Sequence, residues 1–223
     1  STSRGLGDVY KRQEGRFVAL VGESGCGKST IASLVMGENR PKEGGSVTIG
    51  GVPVTENAYM ESIMSDLIPL FRPKSVALIG ASSDTKKYGY WTAKSLIDNK
   101  FQGEIHLISR SGGEILGQPT YPDILSVPGE VDLAIIAIAP KHILPIIEQC
   151  VEKGVKTGIV VSTGFGETGP EGKEIERRML EIARKGNMRI MGPNCMGMYS
   201  SAVSLNASII DLAPGPMSLV LQS

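Results

Sequence analysis

The chain has little of what marks the specialised classes of protein. Of its 223 residues three are cysteine, two histidine and one tryptophan. Cys26, Cys150 and Cys195 lie far apart with no C-x-x-C pair, which excludes a disulfide framework and a cysteine zinc cluster. Lys plus Arg equals Asp plus Glu at 23 each, so no net field draws the chain to nucleic acid or to an anionic membrane. The longest apolar run, Leu133 to Pro140, falls far short of the roughly 20 residues that span a bilayer, and no basic, apolar, small-residue signal opens the chain. A soluble, cytoplasmic protein is expected, without membrane insertion and without polynucleotide binding.

Glycine is abundant, and its clusters mark two nucleotide-binding openings. The first is Gly22-Glu23-Ser24-Gly25-Cys26-Gly27-Lys28-Ser29-Thr30, a full P-loop between a strand pattern at 16–21 and a helix pattern at 29–36. Gly22, Gly25 and Gly27 let backbone N–H groups, with those of Ser29 and Thr30, turn toward the phosphates of ATP. Lys28 reaches the terminal phosphates and Ser29 ligates Mg²⁺. Residues 43–54, with glycine pairs at 44–45 and 50–51, read as a hairpin. From residue 14 to about 55 this wording resembles the start of an ABC-transporter ATPase subunit, especially of the oligopeptide-importer kind. That family also needs a Q-loop, an L-S-G-G-Q signature and a Walker B strand, and the remaining sequence contains none. Ser111-Gly112-Gly113-Glu114 has no leucine before it and reads as a turn. Binding of ATP and Mg²⁺ is therefore conditional on the P-loop being functional, and hydrolysis is not supported. Residues 1–13 read as a disordered leader, closer to a vector-derived one than to a native N-terminus. Residues 56–70 read as a junction in which Met60 or Met64 would serve as a native start.

Beyond the junction the pattern becomes regular. Strands are expected at 75–79, 104–108, 132–138, 157–161 and 189–191, and helices at about 92–99, 141–153 and 170–185. Glycines stand at 154 and 186 where two of the helices end. Near-continuous apolar strands alternating with amphipathic helices predict an α/β fold, a Rossmann-like, doubly wound parallel sheet, preceded by a P-loop strand-helix-hairpin fragment. The opening Gly80-Ala81-Ser82-Ser83, followed by Tyr88-Gly89-Tyr90, departs from G-x-G-x-x-G. At the end of the second strand, where NAD enzymes carry an acid for the ribose hydroxyls, stands Ser109-Arg110-Ser111. A cation there suits a phosphorylated ribose, that of NADP or of coenzyme A, while a solvated surface arginine is the plainer alternative.

A series of motifs then points one way. Phe71-Arg72-Pro73-Lys74-Ser75-Val76-Ala77-Leu78-Ile79-Gly80-Ala81-Ser82, Gly112-Gly113-Glu114-Ile115-Leu116-Gly117, Val131-Asp132-Leu133-Ala134-Ile135, Thr163-Gly164-Phe165 and Gly192-Pro193-Asn194-Cys195-Met196-Gly197 occur in order. From about residue 64 to 223 the chain resembles the ADP-forming acyl-CoA (acetyl-CoA) synthetases, relatives of the succinyl-CoA synthetase alpha subunit. The resemblance implies that Gly80, Ala81, Ser82 and Ser83 offer N–H and hydroxyl groups to the CoA phosphates. Where many relatives have Asn-Pro-Lys, this chain has Ser109, Arg110 and Ser111. Ser111 holds the position of the CoA-binding lysine, and Arg110 is its substitute. Ala139 and Pro140, and Ser162, Thr163, Gly164 and Phe165, fall at the carboxyl edge where such sheets bind ligands. Asn194 and Cys195 fall where the CoA thiol end meets the catalytic domains.

No catalytic residue is assigned. The family gives Cys195 no covalent role, and neither His106 nor His142 matches its phosphohistidine. Residues 71–212 are the expected CoA-binding domain, and 213–223, with a strand at 217–221, the start of a truncated succinyl-CoA-ligase-like domain. The full-length relative would convert ATP to ADP and make an acyl-CoA, with an ATP-grasp subunit or domain as partner and CoA or acyl-CoA as ligand. This chain is read as the CoA-holding part fused to an ABC ATPase stub, unable alone to make an acyl-CoA. Two other readings stand beside it: an ATP-binding module working through the P-loop, and a non-catalytic CoA-binding regulatory protein.

Overall fold

The computed structural model describes residues 48–49, 52–53, 67–210 and 219–222. The leader at 1–13, the P-loop residues Gly22 to Thr30 with their flanking strand and helix patterns, and most of the junction lie outside the described residues. The expected hairpin is there in its core. β1 (Thr48–Ile49) pairs antiparallel with β2 (Val52–Pro53), Ile49 opposite Val52.

The larger unit is built on β3 (Ser75–Ile79), β4 (Glu104–Ile108), β5 (Glu114–Ile115), β6 (Gln118–Tyr121), β7 (Leu133–Ile136), β8 (Thr157–Val160) and β9 (Arg189–Met191), in the sheet order β5-β6-β4-β3-β7-β8-β9. All neighbours are parallel except β5, which turns back on β6. Taken along the chain, the parallel strands have the order 3-2-1-4-5-6. That order reverses direction between β3 and β7, and doubly wound sheets bind ligands at the carboxyl ends of the strands at such a reversal.

Both faces of the sheet are covered, as continuous apolar strands require. Along β3, Val76 and Leu78 enter one core with Leu96 of α1 (Tyr88–Asp98). Ala77 and Ile79 enter the other with Ile147 of α2 (Ile143–Lys153) and Met179 of α3 (Pro170–Lys185). α2 ends on Gly154 at φ +83, and α3 starts on Pro170 and ends before Gly186, as read from the sequence.

Some elements differ from expectation. The strand expected over 132–138 closes at Ile136, with the Ala137 N–H still held by the Ile79 carbonyl. Between Arg110 and Pro122, where only a turn was expected, the β5–β6 hairpin supplies the third parallel strand. After Asn194 the chain leaves the sheet for a second one, ordered β11-β10-β12, from β10 (Cys195–Ser200), β11 (Leu205–Asn206) and β12 (Leu219–Gln222). Met198 and Leu205 of this sheet pack into the core that holds Leu96. No helix among the described residues is long and apolar enough to cross a membrane.

Candidate functional site

The turn after β3 is set by backbone sterics. Gly80 has φ +93, and a side chain on it would meet the Ala137 carbonyl and Ile138 of the loop after β7. The N–H groups of Gly80 and Ala81 both donate to the Ile108 carbonyl at 3.1 Å. Those two amides therefore tie β3 to β4 and are not free for a phosphate, a correction to the sequence expectation. The hydroxyls take over the polar role. Ser82 Oγ accepts the Asp84 N–H at 3.1 Å and keeps its own hydrogen to donate, and Ser83 is exposed. α1 begins at Tyr88 with no acid in its first turn, so the positive end of its dipole is not offset there.

The loops after β7, β8 and β9 interlock with this turn. A pocket of about 190 Å³ is lined by Tyr88, Ala137, Val161, Ser162 and Thr163. Gly164, at φ +99, lies against Pro140, whose Cγ is 2.9 Å from where a side chain would start. Asn194, at φ +52, donates its N–H to the Ser162 carbonyl at 2.9 Å. Tyr88 crosses the gap and donates its hydroxyl to the Met196 carbonyl at 3.0 Å. Burial, and then the neighbouring Cys195, push the Tyr88 phenol up to about 12. It is a neutral donor at any physiological pH.

Cys195 is buried, and its thiol donates to the Val160 carbonyl at 3.4 Å. Burial raises its pKa above the ordinary thiol value. A thiol held neutral and turned to a strand carbonyl is poorly suited to act as a nucleophile. At the other end of the edge, Ser109 and Ser111 share a hydroxyl contact of 2.9 Å in the turn that Gly112 closes on Ser109. That turn presents Arg110 to solvent, and Arg110 has no ion-pair partner among the described residues. His106 is buried within β4, edge-to-face with the Tyr121 ring, and burial lowers its pKa.

The structure thus brings Gly80, Ala81, Ser82, Pro140, Ser162, Thr163, Gly164 and Asn194 to one edge. Ala139 is exposed beside Pro140, and Phe165 turns fully inward. Sequence reasoning gave no role to Tyr88, Ala137, Val161 or Glu167. Tyr88 stood in a quoted motif, and its preceding Gly80 turn was the available signal.

The family described as CoA binding domain matches residues 74–201. The chain belongs to that family. The chain is 44% identical over 160 residues to the alpha subunit of acetate–CoA ligase (ADP-forming) I from Pyrococcus furiosus, covering 69% of this chain and 35% of that protein. A solved structure, the dinucleotide-forming acetyl-coenzyme A synthetase 1 of Ca. Korarchaeum cryptofilum with phosphate and ADP, superposes with a TM-score of 0.63 at 34% identity, over 66% of this chain and 31% of that one. The chain spans about a third of the length of these relatives. The ABC transporter family matches residues 9–82, and the nitrate import ATP-binding protein of Synechococcus elongatus is 48% identical over 44 residues, 20% of this chain and 16% of that one. The two family matches overlap at 74–82, which the structure places in β3 and its turn, inside the CoA-binding fold.

Proposed function

We propose that residues 71–212 hold coenzyme A for an ADP-forming acid–CoA ligase, in the cytoplasm and with an ATP-grasp subunit or domain as partner. The observation that carries this reading is the convergence of the β3, β7, β8 and β9 loops at the reversal of strand order, with Arg110, which has no ion-pair partner among the described residues, just past the end of β4. The residues fit the ligand. CoA brings anionic phosphates to an edge with the Ser82 and Ser83 hydroxyls and an unopposed helix N-terminus, and an uncharged arm to the pocket between Tyr88 and Thr163. Ser111, Ala139, Pro140, Ser162, Thr163, Gly164, Phe165, Asn194 and Cys195 complete the proposed site, Phe165 and Cys195 by shaping its backbone. In the reaction this chain's residues bind and orient; the family resemblance supplies the acyl chemistry from elsewhere in the enzyme.

A second reading rests on the ABC transporter match: Gly22, Gly25, Gly27, Lys28, Ser29 and Thr30 hold ATP, with Mg²⁺ on Ser29. Calorimetric titration with CoA, NAD and ATP separates the readings. CoA is expected to bind tightest, and tighter binding of NAD would overturn the CoA assignment.

A further inference from the structure

The loop that walls the pocket after β8 is held by an acid that the family reading does not use. Glu167 sits two residues beyond Phe165, and its carboxylate accepts the N–H of Gly164 at 2.5 Å and that of Phe165 at 3.1 Å. The rest of the loop is fixed from beneath. Phe165 is fully buried, and its carbonyl accepts both the Thr168 N–H at 2.9 Å and the Thr168 hydroxyl at 2.8 Å. It also lies against Gly172 of α3 so closely that no side chain fits at 172. Gly164, at φ +99 with no side chain, has more conformations to lose than Thr163 and Phe165 on either side of it. It is also the one next to Ser162 and Thr163, which line the pocket.

We infer that Glu167 is a positioning residue for CoA: by clamping the Gly164 and Phe165 amides it holds Ser162 and Thr163 in the conformation that receives the ligand. This rests on the CoA reading of the site. A carboxylate near an anionic ligand would ordinarily repel it. Here two aligned N–H donors offset the charge, so the clamp stands without a cation. The Gly164 N–H, with those of Glu167 itself and Phe165, holds the Glu167 carboxyl below the ordinary carboxylate range. The carboxylate stays ionised at neutral pH and the clamp is closed before ligand arrives, which lowers the ordering cost of binding.

The test uses the full chain with Glu167→Ala and Glu167→Gln. In the unliganded protein, Glu167→Ala is expected to lower hydrogen-exchange protection at Gly164 and Phe165 while Tm stays near the parent's. It should also raise the Kd for CoA and for dephospho-CoA equally, about tenfold, the scale of one charge-assisted hydrogen bond. Glu167→Gln keeps a neutral acceptor and should recover most of both effects. Unchanged protection at the two amides, or lost protection with an unchanged Kd for CoA, overturns the inference. Should the parent chain bind no CoA, the functional reading fails, while the exchange data still decide whether Glu167 holds the loop.

Discussion

Gly89 of α1 lies directly against the carbonyl oxygen of Gly80, in a space that no side chain can enter. The contact lets the helix N-terminus sit down on the turn after β3, the role that the last glycine of a dinucleotide fingerprint fills by another spacing. Gly89→Ala would push a methyl group into backbone rather than into a flexible side chain. We expect a loss of roughly 1 to 3 kcal/mol, read as a lower Tm, together with weaker CoA binding. An alanine variant with unchanged Tm would show that the helix can shift freely.

Arg110 is exposed at the end of β4 with no ion-pair partner among the described residues, so its charge is available to a ligand. Arg110→Ala should weaken CoA on the order of tenfold to a hundredfold, the equivalent of roughly 1.5 to 3 kcal/mol, and leave dephospho-CoA nearly unchanged. Titration of both ligands on both proteins is the check. Equal losses would move the 3′-phosphate contact to another group.

How much of this was legible in the sequence depended on where the forces are local. α3 was read with its ends because Pro170 presets the first turn and Gly186 stops the last. β6 was missed because Gln118-Pro119-Thr120-Tyr121 has no fully buried residue and carries a proline; its pairing with Leu107 and Ile108 on one side and with β5 on the other makes it a strand. β10 was missed because Cys195-Met196-Gly197-Met198-Tyr199-Ser200 has no β-branched residue. In the site, the loops were legible from the strand ends. The binding of both the Gly80 and Ala81 amides to Ile108 was not, because it depends on where a neighbouring strand's carbonyl falls.

Tyr88 donates to Met196 only while its phenol is neutral. Its folded pKa is raised to about 12 by burial and by Cys195, above an unfolded value of about 10. The stabilisation is thus fully present below pH 10 and is lost as pH rises toward 12. Against Tyr88→Phe, the parent should be more stable by about 1 kcal/mol at neutral pH, with the gap closing over that alkaline window. Denaturant unfolding of both proteins at several pH values measures it; a gap that widens with pH would refute the donor role.

Cys150 and Cys195 are both buried, with thiol pKa values raised by burial, that of Cys150 to about 12. Neither should alkylate with iodoacetamide at neutral pH on a timescale of minutes, and both should label at once in denaturant. Mass spectrometry of the native protein decides it. Rapid native labelling at Cys195 would reopen a nucleophile role.

Lys28→Ala should leave CoA affinity unchanged, because the core around the CoA edge is assembled, among the described residues, from Leu70 onward. Calorimetry on the variant gives the answer. A drop in CoA affinity would mean that the P-loop segment and the CoA-binding domain share a site.

β10 is a strand whose length cannot drift. Its first residue is pinned to Val160 by the Cys195 thiol, and its later residues face β12 through Tyr199↔Leu219 and β11 through Tyr199↔Asn206. The register with β12 already shifts between Cys195 and Gly197, and past that irregularity one residue added or removed before Met198 would send it to the opposite face and open a hole beneath α1. Natural variants of this chain should therefore tolerate changes of length in the turn at 201–204 and almost none in the strand before it, which makes β10 a ruler for aligning distant sequences.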